Sequence, residues 1–259
     1  MRPKNRSRIL AGWCSACLLV AGAKAADVAL AKELGDYVAK ADGEAERTRT
    51  ALKLPAGFRA EVWARHPLLA DPVAIAFDGK GRLYVAEHHR NRHGTEDDRE
   101  HRYWLDDDFA ARSVEDRLAF MEKWAAAGKK PMRFYTEIPD RLVCIEDRDG
   151  DGRAETTRTL ALFGDPLDGA NVGVLPRDGE VWVTNIPHLW RFRDDGKSEQ
   201  LQGEKVFSGF GVKFSLHGHD MHGLVIGPDG RLYWSIGDRG FNVRTREGGT
   251  VSDLWRGAV

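Results

Sequence analysis

Residues 219–240 read HDMHGLVIGPDGRLYWSIGDRG, and the organisation of the whole chain can be worked out from this stretch. Leu224–Ile226 is an apolar run, Pro228-Asp229-Gly230 a turn, and Leu232–Ile236 a second run with aromatic residues at its centre. Short runs rich in β-branched and aromatic residues, separated by Pro, Asp and Gly, predict a β-hairpin. His217, His219 and His222 crowd the entry to the first strand, and Asp238 follows the exit from the second. Antiparallel pairing brings those two ends together. A histidine beside a carboxylate is the usual construction of an oriented general base, although polar residues also collect at strand ends for structural reasons alone.

The same pattern occurs three times: VAIAFDGKGRLYVAE from Val73, VGVLPRDGEVWVTN from Val172 and LVIGPDGRLYWSIGD from Leu224. The turn glycines of the second and third copies, Gly179 and Gly230, are 51 residues apart. A period of this size with several short strands per repeat predicts propeller blades, since a four-stranded sheet needs neighbours to bury both faces. RLVCIE from Arg141 and Thr157–Leu162 are expected as outer strands of one blade, and Leu189–Arg193 with Gln200–Phe207 as those of the next. The expected fold is all-β, a partial six-bladed β-propeller of about three blades over residues 54–259. A helical lead-in or linker is expected at 26–53 and a loop–helix insertion at 89–133. With three inner hairpins in 259 residues, the chain is expected to be part of a longer propeller, its remaining C-terminal blades lying elsewhere.

The insertion opens HRNRHGTEDDREHR, which reads as a solvated loop too charged to bury, with His88, His89, His93 and His101 in it or at its edge. Val114–Ala127 then places apolar residues at helical spacing between Ser113, a fair N-cap, and Gly128.

Formal net charge is −1, so no long-range field draws the chain to nucleic acid or an anionic membrane. Four basic residues from Arg2 to Arg8, an apolar run from Ile9 to Ala23 and Ala23-Lys24-Ala25 form a signal-peptide pattern over residues 1–25. Export to the periplasm or outside the cell is therefore expected, and a retained membrane anchor is the alternative. Cys14 and Cys17 fall in that segment with no following histidine, so no haem site is expected in this chain. Cys144, on an apolar strand, is expected as a buried thiol.

Asp147, Asp149 and Asp151 alternate as in a calcium loop. Arg158 stands where an EF-hand requires its last carboxylate, so the expectation is a non-EF calcium site or a turn whose side chains cap its own amides. His217, His219 and His222 could also converge on a metal if the chain bends at Gly218.

HDMHGLVIGPDGRLYWSIGDRGFN resembles the soluble glucose/sorbosone dehydrogenase family, six-bladed propellers that use pyrroloquinoline quinone. LPAGFRAEVWARHPLLADPVAIAFDGKGRLYVAE and EDRDGDGRAE resemble the large exported planctomycete-type members of this group, which often carry a cytochrome c domain. The resemblance implies that His219 is the general base on a sugar or alcohol hydroxyl and Asp238 its orienting carboxylate. It also implies hydride transfer to pyrroloquinoline quinone, calcium as a second cofactor, and a cytochrome as electron acceptor. Val243 stands where the family has a Gln, which puts one polar contact in doubt, and the quinone-holding residues are expected in later blades. His222, of opposite strand parity, is expected to point into a blade–blade interface. A calcium-dependent lactonase-type hydrolase and a non-catalytic propeller that binds glycans or proteins are the competing classes.

Overall fold

The computed structural model describes residues 43–259; the expected signal peptide and most of the lead-in, up to residue 42, lie outside the described residues. The lead-in is represented by one short helix, α1 (Glu44–Ala51), and no described helix is long and apolar enough to cross a membrane.

Four antiparallel sheets follow. The first runs β1 (Pro72–Phe77), β2 (Leu83–Glu87), β3 (Asp140–Glu146), β4 (Thr156–Phe163), each strand paired with the next in sequence. The second repeats this order with β5 (Gly173–Arg177), β6 (Glu180–Asn185), β7 (His188–Arg193) and β8 (Glu204–Ser208). The expected outer strands are thus β3–β4 and β7–β8. Two hairpins complete the set, β9 (Met221–Ile226) with β10 (Leu232–Ile236), and β11 (Phe241–Arg244) with β12 (Thr250–Asp253). β10 is extended by a bridge between Ile236 and Ala258.

The three hairpins that repeat in the sequence turn in the same way. Gly81, Gly179 and Gly230 have φ of 81°, 81° and 77°, left-handed values that L side chains rarely adopt. In the second copy Asp178 and Gly179 form a two-residue turn between the paired Arg177 and Glu180, the commonest use of Asp-Gly in a hairpin. The first strands of the three copies are neighbours in space, β1 beside β5 and β5 beside β9.

The sheets stack through apolar faces. Tyr84, Leu142, Cys144, Leu160 and Phe163 of the first meet Val174, Val181, Val183 and Phe192 of the second. Cys144 is fully buried there, and burial pushes its thiol up to about 11, so it is inert at neutral pH. Ile186 and Leu189 meet Met221 and Ile236 on the next layer, and Trp63, Leu68 and Leu69 cover the far face of the first sheet. One buried carboxylate ties two sheets: Asp194, just past β7, accepts from Tyr84 Oη at 2.7 Å, Arg82 Nη1 at 2.9 Å and Arg158 Nη2 at 3.0 Å. Arg158 is thus committed to Asp194, which explains an arginine where a calcium loop would carry a carboxylate.

The insertion departs from expectation in its first part. Between β2 and β3 the chain forms a looped stretch, a 3-10 turn at Arg102–Trp104, helix α2 (Leu105–Ala110), helix α3 (Val114–Ala126) and a second 3-10 turn. Helix α3 begins at Ser113 with a complete capping box to Asp116, as the sequence predicts. The charged stretch before it is only partly solvated: Asn91, Arg92, His93, Arg99, Glu100 and Arg102 are exposed as expected, but Arg90, Thr95, Glu96, Asp97, Asp98 and His101 are buried. They can be buried because their charges are met internally. The Arg90 guanidinium donates to the carbonyls of Asp168 at 2.9 Å and Tyr135 at 2.6 Å. Trp104 Nε1 donates to Asp98, and the amide of Phe214 to Asp108. Around these polar groups Trp104, Phe120, Met121 and Tyr135 pack against Val212 and Phe214, which fixes the insertion to the segment leading into β9.

Candidate functional site

Pairing of Met221 with Ile236 sets the entry of β9 beside the exit of β10. His219 lies two residues before that pair and Asp238 two residues after it. His219 Nδ1 is 2.6 Å from Asp238 Oδ1, and the same oxygen accepts the Ser215 hydroxyl at 2.8 Å. Burial pushes the Asp238 carboxyl up, but hydrogen bonds from His219 and Ser215 outweigh it and hold the carboxyl below its usual range. With Nδ1–H given to Asp238, Nε2 keeps its lone pair. The two side chains are 41% and 49% exposed, so a solute can reach that lone pair. An imidazole in this arrangement can accept a proton from a hydroxyl.

Gly237 is required by the packing. A Cβ there would sit 2.9 Å from His219 Cβ and 3.0 Å from the His219 carbonyl oxygen. The Ile-Gly-Asp sequence therefore serves to let the histidine lie against the strand end.

The three histidines of the cluster have three different partners. Gly218, at φ 87°, reverses the chain between His217 and His219. His217 turns inward and its Nε2 lies 3.1 Å from Thr95 Oγ1. His222 bends back to the Gly218 carbonyl at 2.7 Å and is exposed, not directed into an interface. Parity counted from His217 and His219 would have sent it inward, but both precede β9, which begins at Met221, so strand alternation does not run through them to His222. Val243 is buried in the core beside Phe210 and Met221, so it offers nothing polar to His219.

The inward network was not legible as a site. Thr95 Oγ1 also lies 3.1 Å from His88 Nε2 and 2.9 Å from the Arg90 carbonyl, and His88 Nδ1 is 2.9 Å from the fully buried Asp140. The rings of His88 and His217 stack at 5.7 Å. Burial, then the neighbouring His88, pushes His217 below the usual imidazole range. His89 lies between Glu87 and Asp71, its side chain nearly buried. His88 and Asp140 stand just after β2 and at the start of β3, which are paired strands. The strand-end signal that singles out His219 and Asp238 therefore applies to them too, but the charged run that directly follows His88 masks it in the sequence.

The carboxylate oxygens of Asp147, Asp149 and Asp151 lie within 4.8 Å of one another at the tip of the β3–β4 hairpin. Asp147 accepts the amides of Gly150 and Gly152, Asp149 that of Asp151, and Asp151 that of Arg153. Each has therefore committed at least one oxygen to shaping its own turn.

A family profile described as a domain of unknown function, DUF7133, matches residues 44–258, from the start of α1 to the bridge that closes on β10. No curated protein matches the chain.

Proposed function

We propose that this chain, which belongs to the DUF7133 family, carries the proton-accepting half of an exported dehydrogenase of the glucose/sorbosone type. One observation carries the reading: an accessible imidazole, held in a fixed tautomer by an ionised carboxylate, at the strand ends where the resemblance puts the base. The architecture in this reading is about three blades of a six-bladed propeller, supported by the side-by-side first strands of the repeated hairpins. The substrate is a sugar or alcohol whose hydroxyl proton passes to His219 Nε2, while Asp238 stabilises the imidazolium that forms.

Pyrroloquinoline quinone, when bound, would accept the hydride and pass electrons to a cytochrome. The nearest arginine to the pair in sequence, Arg239, is buried and engaged with Asp220 at 2.6 Å and the Lys213 carbonyl at 3.2 Å, so it does not present its guanidinium to a quinone carboxylate. The side chains around His219 fit the proton transfer and not the holding of the quinone.

Quinone-dependent dye reduction by the protein, with a panel of aldoses and primary and secondary alcohols, tests the reading. Turnover that is lost in His219→Asn, with quinone binding retained, supports it. Absence of quinone-dependent turnover with every member of the panel overturns it in favour of a non-catalytic binding module.

A further inference from the structure

A second constellation of ligating groups lies in the insertion, apart from His219 and Asp238. Glu96, Glu100 and His101 offer two carboxylate oxygens and one imidazole nitrogen within 4.8 Å of one another. One turn of chain sets the spacing, with the amides of Glu100 and His101 donating to the carbonyls of Asp97 and Asp98 at 3.2 and 3.1 Å. Glu96 and His101 are 4% and 1% exposed, whereas Glu100 stands at the surface and its carboxylate makes no hydrogen bond among the described residues.

The surroundings are those of a metal-binding imidazole. His101 Nε2 faces Glu96, and Nδ1 is held 2.8 Å from the Tyr103 hydroxyl, which fixes the ring. Trp104 and Phe214 enclose it, with the Trp104 ring centre at 4.3 Å. A second observation is independent of the cluster. Tyr135, 1% exposed, has a hydroxyl without a partner among the described residues, and after burial the charge that acts on it most is that of Glu96. A buried orphan hydroxyl within reach of a ligand group's charge is one that an ion-bound water would satisfy.

At present a cation already sits on Glu96: Lys130 Nζ donates to Oε1 at 2.8 Å and lies 3.9 Å from the centre of the Phe134 ring. Lys130 is 38% exposed, so it can leave the carboxylate and stay on the ring. We infer that Glu96, Glu100 and His101 form a site for one divalent transition-metal ion of the zinc or manganese class, which displaces the Lys130 ammonium. Two carboxylates and an imidazole without thiolate suit these ions, and three protein ligands leave a position open. Tetrahedral zinc with bonds of about 2.0–2.2 Å needs ligand atoms about 3.3–3.6 Å apart. The unpaired Glu100 is the ligand free to close that gap.

The test is titration of the full chain, stripped with chelator, with Co2+ and then Zn2+. It is run in an Asp149→Asn, Asp151→Asn background to remove the other acidic cluster. Expected is one ion per chain with a visible cobalt spectrum carrying a nitrogen ligand, displaced by zinc. Glu100→Gln should weaken binding at least tenfold without changing the thermal midpoint of the metal-free protein. Lys130→Met should tighten it several-fold, because the competing cation is gone. No stoichiometric binding, or binding unchanged in Glu100→Gln, overturns the inference and leaves His101–Glu96–Lys130 as a structural ion network.

Discussion

Thr95 Oγ1 lies 3.1 Å from His217 Nε2, so the insertion after β2 is hydrogen-bonded to the loop that carries His219. A single hydroxyl proton there serves three neighbours, His88 Nε2, His217 Nε2 and the Arg90 carbonyl. At least one imidazole must therefore donate to Thr95.

Replacing Thr95 by Val removes that hydroxyl and strands buried polar groups on both histidines. A loss of about 1–3 kcal/mol is expected by denaturant unfolding, the cost of leaving such a group unpaired. If His219 depends on the anchored loop, turnover should fall as well, whereas His93→Ala should leave both quantities unchanged.

Turnover should respond to the geometry of the His219–Asp238 pair. Asp238→Asn removes the carboxylate that fixes the tautomer and stabilises the imidazolium, and should lower kcat by two or more orders of magnitude with substrate KM little changed. Gly237→Ala should lower it too, because a Cβ 2.9 Å from His219 Cβ forces the ring away from Asp238. Steady-state kinetics of the two variants, beside their circular dichroism spectra, checks this. A Gly237→Ala protein with unaltered kcat would show that the position of the imidazole does not matter.

Asp194 should be among the most sensitive polar positions. Asp194→Ala leaves Arg82 and Arg158 without the carboxylate they share between the sheets, along with the Tyr84 hydroxyl. A loss of about 3–5 kcal/mol is expected in urea unfolding, as for other broken buried ion pairs. Asp195→Ala, one residue on and fully at the surface, provides the control.

Stability should also depend on pH through Asp98. Burial, then the charge of Asp108, pushes the Asp98 carboxyl well above the ordinary carboxylate range. Burial likewise lifts Asp168, to about 7. A raised carboxyl pKa means that the folded state holds its proton after the unfolded chain has lost it. These two groups therefore cost nothing below pH ~4, and their cost grows as pH rises toward 7. His188 acts in the opposite sense, because burial lowers it to about 4 and its contribution is lost as pH falls from ~6.5 toward 4. Asp98→Asn keeps an acceptor for Trp104 and supplies a permanent donor toward Asp108. It should raise stability at pH 8 by on the order of 2 kcal/mol, with little effect at pH 4. Thermal midpoints across this range decide it, and equal shifts at both ends would rule out protonation as the cause.

The repeated hairpins, their turn glycines, the outer strands, helix α3 with its Ser113 cap and the approach of His219 to Asp238 were all legible in the sequence. Each depends on local chemistry: strand alternation, left-handed turn positions, capping side chains, and the rule that antiparallel neighbours bring entry and exit together. Burial of half of HRNRHGTEDDREHR, with Arg90, Glu96, Asp97, Asp98 and His101 in it, was not legible. Its charges look solvated until Arg90 finds the carbonyls of Asp168 and Tyr135, 78 and 45 residues away, and His88 finds Asp140. Nor could strand parity place His222, because His217 and His219, from which it is counted, lie in the loop before β9 and not on the strand. Local sequence determined which elements form. Which charges could leave water was decided only by the tertiary structure, because the partners that make burial tolerable are distant in the chain.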